Sequence, residues 1–336
     1  MKLLRRTFIA TATAAVSAAI FTCSTALLAP SANAQDLTKL TFIQEWPTPD
    51  GFWIPWILGS DKGFYSEEGI ELEIVTPPTV ADTMKFLGTG RAEVAFTTSM
   101  DIVFAKSQEA PVVAIGRYGR GNNWGILSAT GDKLSVADLK GKTLGIYNDA
   151  WTMAQLEMIL SDAGLSMEDI KTVAASDDTV PLLLQKRVDA VTGITNAEGT
   201  EIVTVTGKAG EFLPAIEHGA PNTPIFALAA NMGWLAKNPD TAKAFLRATT
   251  KSIAYSAAHP EEAVEAFAKR YAKAYDPAFI KQQWLDTIPL FGTTDNKALL
   301  NDAKDWETLV AALAKFKVLD GLLPATDYFT NDYLPE

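Results

Sequence analysis

The chain of 336 residues is poor in sulfur and imidazole: it has one cysteine, Cys23, and two histidines, His218 and His259. Cys23 lies in an N-terminal stretch that reads as removable, and without it no thiol remains to pair, to bind a metal or to act as a nucleophile. Basic residues are also scarce, 29 against 40 acidic ones, giving a net charge of −11. That balance argues against nucleic acid or an anionic membrane as partner. Beyond residue 34 no run reaches the ~18 unbroken apolar residues of a membrane span. Also missing are a Gly-x-Ser-x-Gly elbow and a His-Glu-x-x-His pair, so neither a serine-hydrolase nor a zinc-protease centre is expected. The glycine-rich run Gly116-Arg117-Tyr118-Gly119-Arg120-Gly121-Asn122-Asn123-Trp124 lacks dinucleotide and phosphate-loop spacing and reads as a flexible connection, with Arg117, Arg120 or Trp124 free to close over a ligand. No cofactor is called for.

What is present begins with an export signal. Lys2, Arg5 and Arg6 precede an apolar, alanine-rich stretch from Phe8 to Ala29, followed by Ala32-Asn33-Ala34 before Gln35. This predicts a signal peptide over 1–34, cleaved after Ala34. Arg5-Arg6-Thr7-Phe8-Ile9 resembles a twin-arginine signal, although Leu4 stands where Ser or Thr is usual. Phe21 and Thr22 are bulky for a lipid-attachment site at Cys23, and an uncleaved anchor is the other alternative. Removing 1–34 leaves 302 residues with a net charge of −14, a length that fits two domains and supports a core without disulfides.

The remainder alternates short β-rich runs with helical ones, the pattern of an α/β fold with largely parallel sheets. Strands are predicted at 40–43, 70–75, 94–96 and 111–115, with helices over 53–62 and 81–87. A polar turn at Gly131-Asp132-Lys133 then opens a second round: strands at 143–147, 172–174 and 188–191, helices over 151–160 and 180–185. After a strand at 225–228 the chain turns helical. Asn238-Pro239, His259-Pro260 and Asp276-Pro277 each supply a cap and a first-turn proline. Ala242, Phe245, Leu246, Thr249 and Ile253 line one helix face, and Leu299, Ala303, Trp306, Val310 and Leu313 another. Such helices need an existing lobe to pack on. The expected division is therefore a discontinuous first lobe, 35–128 and 229–336, and a second lobe, 129–228. Two crossings near Ser128 and Ala227 make a two-strand hinge beside a cleft.

Three segments carry a family resemblance: Trp46-Pro47-Thr48-Pro49 after the first strand, Lys62-Gly63-Phe64-Tyr65-Ser66-Glu67-Glu68-Gly69-Ile70, and Gly90-Arg91-Ala92-Glu93-Val94-Ala95. With Asp138-Leu139-Lys140-Gly141-Lys142-Thr143-Leu144-Gly145 and Val188-Asp189-Ala190, they resemble the periplasmic solute-binding proteins of ABC importers, over about 40–335. Within that class the chain is similar to the branch of nitrate, aliphatic sulfonate and thiamine-pyrimidine-precursor binders. Asn196-Ala197-Glu198 and Phe329-Thr330-Asn331-Asp332-Tyr333-Leu334-Pro335 lean toward the pyrimidine group. The resemblance implies a type II two-lobed fold, a periplasmic monomer, a small-molecule ligand in the cleft and an inner-membrane ABC permease as partner. The ligand implied is an aminopyrimidine precursor of thiamine; the alternatives are an aliphatic sulfonate, nitrate or another small solute. A pyrimidine-biosynthesis enzyme is a further alternative, because relatives of this branch make the thiamine pyrimidine with a cysteine-rich segment and a histidine. Here the mature chain lacks cysteine, and His218 and His259 are far apart. A non-enzymatic receptor is the expectation.

The candidate ligand contacts fall at strand ends, where open α/β sheets place their ligands. Trp46 offers a rigid face for stacking on a flat ring, unless it is core with Trp53 and Trp56. Thr98 and Ser99 precede a helix and could present hydroxyls to the cleft, or cap that helix. Asn148 and Asp149 occupy a helix start that an anion binder would leave uncharged; pointing inward, Asp149 selects a ligand with donors, and pointing outward it is only a cap. Asn196 and Glu198 follow the 188–191 strand. Glu198 can accept from an exocyclic amine and, if protonated, donate to a ring nitrogen, which is the edge an aminopyrimidine presents; Glu201 would serve equally well, and capping the turn is its bland role.

Overall fold

The computed structural model describes residues 37–175, 178–273 and 276–336. The expected signal at 1–34, its cleavage after Ala34 and Cys23 lie outside the described residues. Ten strands follow in chain order: β1 (Thr38–Gln44), β2 (Ile70–Val75), β3 (Val94–Thr98), β4 (Val112–Tyr118), β5 (Trp124–Ser128), β6 (Thr143–Tyr147), β7 (Lys171–Ala175), β8 (Ala190–Ile194), β9 (Glu211–Pro214) and β10 (Phe226–Asn231). They form two five-stranded sheets with one plan, β2-β1-β3-β10-β4 and β7-β6-β8-β5-β9. Four strands of each run in the same direction, and the strand arriving from the opposite lobe, β10 or β5, inserts antiparallel to both its neighbours. The result is a two-lobed α/β protein.

The sheets divide the chain differently from the expected 35–128, 129–228 and 229–336. β5 belongs to the second sheet and all of β10 to the first, so the crossings fall at 119–123 and 215–225. The glycine-rich run is correspondingly shorter as a connection, since Gly116–Tyr118 complete β4 and Trp124 opens β5. Its glycine density obscured the strand ends, whose hydrogen bonds come from the remote partners β10 and β8. The crossings are tied together: Asn122 Nδ2 donates to Pro221 O (3.0 Å) and to Gln155 Oε1 (2.6 Å), and Asn122 N donates to Asn222 Oδ1 (3.0 Å). Gly121, at φ +67°, turns the chain where a Cβ would also press on Asn222.

The helices are α1 (Ile54–Asp61), α2 (Phe64–Glu67), α3 (Asp82–Gly88), α4 (Ser99–Ser107), α5 (Ala150–Asp162), α6 (Val180–Leu184), α7 (Thr200–Thr206), α8 (Met232–Lys237), α9 (Pro239–Ala258), α10 (Pro260–Arg270), α11 (Pro277–Thr287) and α12 (Ala303–Lys315). Prolines open α9, α10 and α11 because their missing N–H groups would be unpaired in a first turn, and the Asp276 carboxylate caps α11 through Ala278 N (2.7 Å). α9 buries Ala242, Phe245, Leu246, Thr249 and Ile253. α12 starts at Ala303, capped by Asp302, later than the apolar spacing from Leu299 suggested. The preceding Asn301 is instead pinned by Asn331 Oδ1 (3.0 Å) in the C-terminal tail, which pairs with the edge of β4 at Phe329. Trp53 and Trp56 are core; Trp56 stacks on Phe42 at 4.7 Å between centroids. No helix among the described residues is long and apolar enough to cross a membrane.

Candidate functional site

The carboxyl ends of β1, β6 and β8 face one cleft of about 150 Å³, enough for a single aromatic ring. Parallel strands put their following loops at the same edge of a sheet, so segments far apart in sequence meet there. The first lobe supplies Trp46, Asp50 and Phe226, and the second supplies Tyr147, Asp149 and Glu198. α11 closes one side with Phe279 and Gln283.

Among the described residues the lining contains six carboxyl side chains, Glu45, Asp50, Asp149, Asp178, Glu198 and Glu201, and no lysine, arginine or histidine. Seven aromatic side chains share the wall. Trp46 is fixed edge-on to Phe96 (5.2 Å) and Phe52 (5.6 Å), and Trp151 sits edge-on to Trp124 (6.1 Å). The arrangement is suited to a planar ligand rich in hydrogen-bond donors.

Glu198 is the best-defined of these acids. It sits in a single π turn, Thr195–Gly199, after β8, and is only 8% exposed. Tyr147 OH donates to its Oε1 (2.9 Å) and Ile194 N donates to its Oε2 (2.8 Å), so the carboxyl is held at a set angle. Burial pushes its pKa up, and the negative charge of Asp178 adds to the effect. Close packing here depends on Gly193, where a Cβ would lie 2.4 Å from Glu198 Oε2. Gly193→Ala is expected to displace Glu198 at a cost of about 1–3 kcal/mol in stability, and to weaken ligand binding beyond what the stability loss accounts for; thermal melting and titration calorimetry together check this.

The other acids are perturbed by the same cause. Burial raises Asp50 to about 7, against hydrogen bonds from Gln283 Nε2 (3.1 Å) and Phe52 N (3.0 Å). Burial raises Asp149 to about 6, against its role as the cap of α5, in which it accepts from Thr152 N (2.7 Å). Glu201 is raised to about 8 by burial and by Asp178 beside it. Glu45 is 2% exposed and is pushed well above the usual carboxylate range by burial, then by the charges of Asp101 and Asp149.

Trp46, Asp149 and Glu198 therefore meet at the cleft, whereas Thr98, Ser99, Asn148 and Asn196 do not line it. Thr98 caps α4 and donates its hydroxyl hydrogen to Asp101 Oδ2 (2.5 Å), while Ser99 Oγ donates to Pro224 O (2.9 Å) in the second crossing. Asn148 is exposed. Asn196 joins the lobes: its Nδ2 donates to Thr287 Oγ1 (2.9 Å), and nearby Thr200 Oγ1 donates to Asp286 Oδ2 (2.6 Å). Asp149 fills both roles weighed for it, cap and cleft wall. Glu45, Asp50 and Trp151 lie beside residues already singled out, but nothing in their spacing showed that they turn inward. Gln283 gave no local signal, since its bonds to Gly51 N (2.7 Å) and Asp50 span more than 230 positions.

Two lobes of identical sheet order around a cleft define the fold of the periplasmic solute-binding proteins. The periplasmic aliphatic sulphonate binding protein of Escherichia coli superposes with a TM-score of 0.66 at 17% identity, covering 88% of this chain and 98% of that one. The periplasmic nitrate-binding protein of Synechocystis PCC 6803 gives 0.66 at 15% identity, over 90% and 88%. The chain belongs to the NMT1/THI5 like family, whose sequence signature matches residues 53–263. A relative from Legionella pneumophila, named 4-amino-5-hydroxymethyl-2-methylpyrimidine phosphate synthase, is 25% identical over 305 residues, 89% of this chain and 93% of its own length.

Proposed function

We propose that this protein is the periplasmic receptor of an ABC importer, a monomer that captures an aminopyrimidine precursor of thiamine and delivers it to an inner-membrane permease. The observation that carries the reading is the lining of the cleft: six carboxyl groups and seven aromatic rings with no basic side chain among the described residues. An aminopyrimidine brings a flat ring, an exocyclic amine that donates and a ring nitrogen that can take up a proton. In this reading Trp46 and Trp151 bound the ring faces, Glu198 reads the amine edge, and closure of the lobes creates the state the permease recognises. Two fold neighbours are named for anions, but among the described residues the lining offers an anion no basic side chain. One ionised carboxylate about 6 Å away opposes it by about 3 kcal/mol at an effective dielectric near 20.

The name of the Legionella relative favours a biosynthetic reading. Support for a receptor comes from the two-lobed fold, shared with the binding proteins of sulphonate and nitrate. The test is a thermal-shift panel on the protein lacking residues 1–34, with aminopyrimidine precursors, taurine, longer alkanesulfonates and nitrate, each pyrimidine being recovered afterwards and checked for chemical change. A shift of several degrees with intact pyrimidines alone is expected, since a ligand at 100 times its Kd adds about 2.7 kcal/mol. A shift with sulfonates or nitrate alone overturns the pyrimidine reading, and recovery of a converted pyrimidine overturns the receptor reading.

A further inference from the structure

The acids of the cleft fall into two groups. Asp50 and Glu201 lie close enough to Glu198 to feel its charge, and Glu198 feels Asp178. Glu45 instead feels Asp101 and Asp149, and Asp101 feels Asp149. The aminopyrimidine reading uses the first group and leaves the second without a task.

That second group contains an unmet requirement. Glu45, at the end of β1, is almost fully buried and lines the cleft; donors at Thr97 and the Thr98 backbone ease its burial, but its Oε2 makes no hydrogen bond of normal geometry. An orphaned carboxyl oxygen is costly in such a place unless something brings it a donor. Asp149, from the other lobe, lines the same cleft, and Asp101, outside the lining, accepts from the Thr98 hydroxyl at 2.5 Å and lies close enough for its charge to act on Glu45. No basic side chain on the described lining balances this charge.

We propose that Glu45 and Asp149 form a second subsite that takes a protonated primary amine on a side arm of the ligand, with Asp101 reinforcing the negative field. An ammonium carries three donors and a positive charge, so it can serve the Glu45 and Asp149 carboxyls together. A hydroxyl brings one donor and no charge. The favoured ligand is thus an aromatic ring with a cationic aminomethyl-type arm, in preference to the corresponding neutral alcohol or formamide. Because one carboxylate comes from each lobe, the ammonium also bridges the cleft and favours closure. The identity of the ring rests on the aminopyrimidine reading; the subsite itself does not.

The experiment separates the two. Titration calorimetry compares 4-amino-5-aminomethyl-2-methylpyrimidine with its 5-hydroxymethyl counterpart, and benzylamine with benzyl alcohol, on the wild-type protein, Glu45→Gln and Asp149→Asn. Asn keeps the cap of α5, and thermal melts confirm that each variant is folded. The amine is expected to bind at least tenfold more tightly than the alcohol, and Glu45→Gln to reduce that ratio below about threefold. An amine preference confined to the benzyl pair and lost in Glu45→Gln supports the subsite and overturns the pyrimidine reading. Pyrimidine binding with no amine preference, or a preference that survives both substitutions, overturns the subsite and leaves the pyrimidine reading standing. Binding of none of the four overturns both.

Discussion

Replacing Glu198 with alanine is expected to weaken aminopyrimidine binding by about 5- to 150-fold, corresponding to about 1–3 kcal/mol. The loss has two origins. The ligand amine loses its acceptor, and Tyr147 OH and Ile194 N lose theirs, so the wall of the cleft is no longer held in place. Glu198→Gln separates the contributions, because its carbonyl oxygen still accepts from Ile194 N while the charge is gone. The expected order of affinity is wild type, then Gln, then Ala, measured by calorimetry at one pH. Equal affinity in all three would show that the ligand does not use Glu198. A sulfonate or nitrate, if offered, should bind no worse to the alanine variant.

The ligand-free protein is expected to melt at a lower temperature at pH 8 than at pH 5. In the folded chain Asp149 titrates near 6, and Asp50 and Asp101 near 7, against about 3.8 for the same groups unfolded. The folded state therefore binds more protons than the unfolded state between about pH 4 and 7. Stability is fully present below the unfolded value and is lost as pH rises through the folded one. Between pH 5 and pH 8 Asp149 alone accounts for about 1.4 kcal/mol of this loss, and Asp50 and Asp101, which titrate higher, add to it. At 2–4 °C per kcal/mol, the Asp149 share corresponds to a fall of about 3–6 °C. Asp149→Asn retains the cap to Thr152 N and removes the titration, so its melting temperature at pH 8 should exceed that of the wild type and its pH profile should be flatter. A wild-type melting temperature that is constant or rising from pH 5 to 8 would contradict the raised pKa values of these acids. A cationic ligand should offset the loss, because it favours the ionised carboxylates that the empty cleft disfavours.

The order of elements was legible along the chain because each is set by local physics. β2 was readable to the residue from its alternation of apolar and acidic side chains, β6 from its short β-rich run, and the starts of α9, α10 and α11 from a capping residue followed by proline. Strand ends followed by loops marked out Trp46, Asp149 and Glu198, since parallel sheets bring those ends together whatever the loop lengths. The strands β5 and β9 were not legible. Short, glycine-bordered segments become strands only when partners such as β8 complete their hydrogen bonds, and pairing carries no local periodicity. That is also why the crossings were placed several residues from where they fall.

The direction of side chains at the cleft belonged to tertiary structure for the same reason. Thr98 and Asn196 stand at strand ends just as Glu198 does, yet neighbours that arrive from α4 and α11 turn them to capping and to joining the lobes. Glu45 reads in the sequence as one charged residue of a polar loop. In the folded chain it is 2% exposed, and its Oε2 makes no hydrogen bond of normal geometry. Local pattern determines the helix starts and the strands with a clear periodicity, because those depend on neighbours within a few residues. The character of the cleft depends on desolvation by segments separated by 50 to more than 230 positions, and that the folded chain alone decides.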